Sequence, residues 1–115
     1  MAKLDVSAIR EKVMANDDIK YEEVYVKEWD VHIPVRTLAS AQLKKVMEYR
    51  DDVIRMQSLA VIYGCETEDG EKVFKETDLA KLEQEKSFGA IAKVAERILE
   101  LSGFGDKTEE EAKNA

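Results

Sequence analysis

Residues Tyr21 to Leu38, YEEVYVKEWDVHIPVRTL, alternate with a period of two, and nothing else in the chain restricts the fold as tightly. Val24 and Val26 share one face, then Val31, Ile33 and Val35 share one, with Tyr25, Lys27, His32 and Arg36 opposite. Such alternation, rich in β-branched residues, is the mark of half-buried strands. Glu28-Trp29-Asp30 breaks the pattern, which predicts a β-hairpin with a loose turn. Two strands alone are marginal in water, so their apolar face requires helices laid across it. Pro34 cannot donate to a ladder and must turn its missing donor outward.

Helical spacing follows. Ala39 to Tyr63 contains neither glycine nor proline. Ser40 is the expected cap of a helix with the stripe Leu43, Val46 and Met47. Arg50 interrupts this stripe and Asp51-Asp52 suit a fresh N-terminus, so two helices are expected, about 40–50 and 52–63. The second carries Val53, Met56, Ala60 and Tyr63 at helical spacing and is apolar nearly all round towards its end, so it belongs in the core. Gly64 ends it, and Asp69-Gly70 marks a turn before the anchor Val73-Phe74. Thr77 is the expected cap of a brief helix with Leu79 and Leu82. Ser87 opens the last helix, whose stripe is Phe88, Ile91, Ala95 and Ile98, and Gly103 with Phe104 has the pattern of a Schellman end.

The predicted class is therefore α+β and mostly helical, with an N-terminal β-hairpin packed against a bundle of about four helices. A single domain is expected over residues 19–104. Residues 1–18 form an N-terminal arm or short helix, with Ser7 as cap, Ile9 and Val13 one turn apart, and Asn16 as stop. A frayed terminus fits those residues equally well, because so short a helix needs outside contacts. Residues 105–115 read as a disordered acidic tail.

Charge and composition narrow the chemistry. The net charge of −7 argues against a protein that binds nucleic acid by neutralising phosphates. No apolar run approaches the roughly 18 residues of a membrane span, and the start lacks a signal-peptide block, so a cytoplasmic protein is expected. Cys65 is the only cysteine, and a buried structural role suits it, with Glu66 and Glu68 opposing a thiolate. His32, the only histidine, has no second imidazole or nearby cysteine for a metal and reads as solvated or hairpin-packed. The segment 65–76 aligns with a calcium loop at Gly70 and Glu76 but fails at Cys65, Thr67 and Lys72. The pairs Asp17-Asp18, Glu22-Glu23 and Asp51-Asp52 read as charged surface. No catalytic residue, cofactor or metal is expected. Trp29 is either a packing residue at the hairpin end or an anchor for a partner.

The order of motifs adds a resemblance. The hairpin VKEWDVHIPVRTL is followed by the apolar helix end VIYGC, then EDGEKVF, TDLAKL and the final ILELSGF. Over about residues 21–104 this series resembles the small tail assembly chaperones of long-tailed (siphovirus-type) bacteriophages. The departure is the hairpin turn, which lacks an expected glycine. The resemblance implies a non-enzymatic helper in the host cytoplasm. It would coat the long helical tape measure protein, keep it soluble and help tail tube protein subunits polymerise around it, with many copies self-associating along the target. Membrane and nucleic acid are not expected partners. The family supplies no residue-level motif, so contact residues come from the sequence alone: Ile9, Val13 and Met14, on a helix with little internal reason to exist, and Trp29.

Family members are often made in two lengths by ribosomal frameshifting. Ala112-Lys113-Asn114 is compatible with the codons of a slippery heptamer, so a longer form is a further expectation. The rival reading is an acidic DNA mimic that modulates restriction or transcription. Lys44, Lys45, Arg50, Lys72, Lys75, Lys81 and Lys86 dilute the stripe of negative charge that a mimic requires.

Overall fold

In the hairpin, β1 (Tyr21–Val26) runs antiparallel to β2 (Val31–Arg36) and pairs Val24 with Ile33 and Val26 with Val31. That register collects the valines and isoleucine on one face, and Val26, Ile33 and Val35 are buried there. Val31 lies on the same face at the turn end and stays 43% exposed, beyond the packed core. Across the hairpin, Tyr25 and His32 stack with ring centroids 4.9 Å apart. The glycine-free turn is a 3₁₀ turn, Lys27–Trp29, closed by Asp30 in the left-handed region (φ 47°). Aspartate tolerates that region better than most residues, and the Tyr25 hydroxyl donates to Asp30 Oδ1 at 2.8 Å.

The computed structural model describes residues 3–104; the acidic tail expected at 105–115 and the frameshift site lie outside the described residues. Ahead of the hairpin stands α1 (Val6–Ala15), and after it come α2 (Ser40–Met47), α3 (Val53–Gly64), α4 (Leu79–Glu85) and α5 (Phe88–Leu101). The architecture is α+β and mostly helical, with α5 packed against the hairpin and α3 joining α5 to α2 and α4.

The caps correct three sequence expectations. Ser7 lies inside α1, because Asp5 precedes it and accepts from Ala8 N–H at 3.1 Å. Ser40 is the first residue of α2 rather than its cap; Ala39 holds that place, and Gln42 Oε1 accepts the Ala39 N–H at 3.1 Å. Thr77 sits within a 3₁₀ turn, Glu76–Asp78, where Asp78 accepts from Lys75 N–H at 2.8 Å before α4 begins. Of the three, only Asp5 is a side-chain cap in the usual sense; at α2 and at the 3₁₀ turn, Gln42 and Asp78 instead reach back to the N–H that precedes the turn. Asp52 caps α3 and Ser87 caps α5 as expected. At the other end of α5, Phe104 N–H donates to Leu99 C=O at 2.7 Å and Gly103 N–H to Glu100 C=O at 3.1 Å. With Gly103 at φ 97°, this is a Schellman end.

α3 is the centre of the core, packed on α2, α4 and α5. Its buried face differs from the expected stripe. Val53 is exposed, whereas Gln57, Ser58, Ala60, Val61, Ile62 and Gly64 are buried. On α5, Ala90, Ile91, Val94, Ala95 and Ile98 are buried, but Phe88 at the helix start is 51% exposed. Gly64 allows these two helices to approach closely, against Ile98 of α5. Gly64 is the last residue of α3 and has no positive φ; space, not a helix stop, is what it provides.

Candidate interaction surface

α1 contributes no buried residue. On this ten-residue helix Val6, Ile9 and Val13 follow the i, i+3, i+7 spacing that lines one face. Ile9 is 46%, Val13 64% and Met14 70% exposed, and Leu4 and Val6 more so. Met14 turns away from the Ile9–Val13 line by about 100°, one residue's rotation. Val6 belongs to this surface although the sequence reading passed over it. The signal was present in the Val6–Ile9–Val13 spacing. Arg10 and Lys12 flank the stripe and Glu11 lies on the far side. A stripe this narrow, with charges beside it, matches the seam one helix offers to another.

Trp29 is not part of this surface. It lies on the hairpin turn, half-buried and packed against the core beside α5.

Among the described residues three arginines, Arg36, Arg55 and Arg97, form ion pairs within the fold. Arg97 on α5 donates to both Glu22 carboxylate oxygens (Nη2–Oε1 2.5 Å, Nε–Oε2 2.6 Å) and to Glu100 (2.8 Å), which ties α5 to β1. The hydrogen bond from Arg97 holds the Glu22 carboxyl below the usual range, and the two carboxylates raise Arg97 further. Arg55 pairs with Glu83 across α3 and α4. Arg36 donates to Gln42 at 2.6 Å, while its Nε faces Glu66 at 3.4 Å without a well-directed bond.

Two grooves stand out among the described residues. One of about 400 Å³ lies among Tyr49, Arg55, Leu59, Tyr63 and Leu79, where Lys45 and Arg55 stand 5.9 and 5.7 Å over the rings of Tyr63 and Tyr49. The other, about 300 Å³, lies beside Tyr21, Glu23, Pro34 and the 66–68 segment.

Cys65 is fully buried at the end of α3, and burial pushes its thiol up to about 12. The acidic neighbours named from sequence are not the cause. The 65–73 segment folds as a small hairpin: Val73 N–H donates to Cys65 C=O at 3.0 Å, and Glu66 bridges Lys72. Thr67 Oγ1 accepts from Glu71 N–H at 3.1 Å, so this side chain serves the turn itself. Among the described residues, no three His, Cys, Asp or Glu side chains come together as a metal site, and no helix is long and apolar enough to cross a membrane.

This architecture, a helix and a hairpin followed by four helices, has a solved counterpart. The chain shares the fold of the bacteriophage HK97 tail assembly chaperone. The TM-score is 0.62 at 15% sequence identity, and the match covers 87% of this chain and 98% of that chaperone. No known family model and no curated protein matches the sequence. At that identity the likeness is one of backbone fold.

Proposed function

We propose that this chain is a tail assembly chaperone of a long-tailed bacteriophage, acting by adhesion rather than catalysis in the host cytoplasm. The observation that carries this reading is the extent of the fold likeness, which takes in nearly the whole of the HK97 chaperone. The exposed seam of α1 supports it physically. A long tape measure protein with apolar helical stripes would aggregate unless those stripes were covered. A seam of Val6, Ile9 and Val13 on an acidic carrier supplies both cover and charge repulsion between complexes. Several copies bound along one target would self-associate and gain affinity by avidity, and would present the coated protein to tail tube subunits.

The test is co-expression with the tape measure protein encoded in the same genome. Expected is a soluble complex of the two, whereas the tape measure protein alone pellets. A tape measure protein that pellets equally with and without this chain would sink the proposal. Salt-sensitive binding to a DNA-binding protein would instead favour the DNA-mimic reading.

A further inference from the structure

The two edges of the hairpin are not equivalent. Thr37 N–H donates to Lys20 C=O at 3.0 Å, so residues 20 and 37 form a hydrogen-bonded pair. Bonded and non-bonded pairs alternate along an antiparallel ladder, so the bonded pairs in the register are Glu22–Val35, Val24–Ile33 and Val26–Val31. The main-chain groups of His32, Pro34 and Arg36 therefore point out from β2, and those of Tyr21, Glu23 and Tyr25 point out from β1. Pro34 places its missing donor in the middle of the β2 edge, which blunts that edge against strand addition. The β1 edge has no such block. Its three N–H and three C=O groups alternate without interruption, and no described residue hydrogen-bonds to them.

Charge defines what fits there. Glu22 is neutralised by Arg97 and Glu66 faces Arg36, but Glu23 and Glu68 have no cationic partner among the described residues. Both line the groove beside Tyr21 and Pro34. On the opposite face Val24 is only half-buried. We propose that the β1 edge is a docking site for an extended, basic segment of another protein, which joins the hairpin as a third strand. The incoming residue opposite Glu23 would be Lys or Arg, and the one opposite Val24 apolar, in keeping with the pairing of facing side chains across strands. A second copy of this chain is a poorer occupant, because its β1 strand carries two glutamates and no lysine or arginine. This goes beyond the chaperone reading, since it uses neither α1 nor the tape measure protein.

The probe is an acetylated, amidated peptide of alternating Lys and Val, added to the ¹⁵N-labelled full chain. Amide exchange at Tyr21, Glu23 and Tyr25 is expected to slow by about tenfold or more at saturating peptide. An alternating Glu and Val peptide should leave it unchanged. Glu23→Gln removes the charge and keeps the N–H, so it should weaken binding severalfold while retaining edge protection. Glu23→Pro removes the donor as well and should abolish the protection, with the remaining spectrum unaltered. Deleting residues 3–16 should have no effect, which separates this site from the α1 seam. Equal protection in Glu23→Pro, protection elsewhere only, or protection that grows with protein concentration in the absence of peptide would each overturn the proposal, the last in favour of a second copy.

Discussion

A Cβ placed on Gly64 would lie 2.6 Å from Ile98 Cγ2 and 2.7 Å from Ile98 Cδ1. Ile98 is fully buried, so its side chain has little room to withdraw. α3 and α5 therefore approach at a distance that only glycine permits here.

Gly64→Ala accordingly sets two effects against each other. Helix propensity alone would favour alanine by at most about 1 kcal/mol at this position. Overpacking a full core costs about 1–3 kcal/mol, and with three Ile98 carbons inside 3 Å the steric cost should win. Urea unfolding should show a lower midpoint with unchanged slope. Ile98→Val, introduced second, should recover part of the loss.

Ser58 offers the opposite sign. Its hydroxyl is buried in α3 with no hydrogen-bond partner. Ser58→Ala removes an unsatisfied group and improves helix propensity, so stability should rise by about 1 kcal/mol. A lower urea midpoint for this variant would mean that the hydroxyl does have a partner.

The buried Cys65 thiol should make itself felt at high pH. Its pKa is raised from 9.0 to about 12 by burial, so the folded state holds its proton longer than the unfolded state does. The stability this residue contributes is thus complete below about pH 9 and lost as pH rises towards 12. The alkaline decline should be shallower in Cys65→Ala than in the parent chain. Near neutral pH a maleimide should label Cys65 only after denaturation.

On α1 the expected result is a separation of stability from binding. Ile9→Glu with Val13→Glu alters a face that buries nothing, so the unfolding midpoint should move by no more than about 0.5 kcal/mol equivalent. The same pair should abolish capture of the tape measure protein in a pull-down. Trp29→Ala should do the reverse, lowering stability because the ring packs on the core, and leaving capture intact in whatever fraction remains folded.

What the residues announced by themselves was local. Period-two alternation placed β1 and β2 and their buried face, Pro34 placed the outward edge, and Gly103-Phe104 placed the end of α5. The break at Asp51-Asp52 separated α2 from α3, and the motif order led to the fold of a tail assembly chaperone. These signals reside in a few adjacent residues, which is why one sequence suffices to read them. The tertiary structure decided the rest, because it depends on partners far apart in the chain. Which face of α3 is buried, why residue 64 is glycine, and which carboxylates Arg97 holds were fixed only when α5 crossed α3 and β1. The candidate surface divided in the same way: packing holds Trp29 half-buried against the core and leaves Val6, Ile9 and Val13 on α1 exposed.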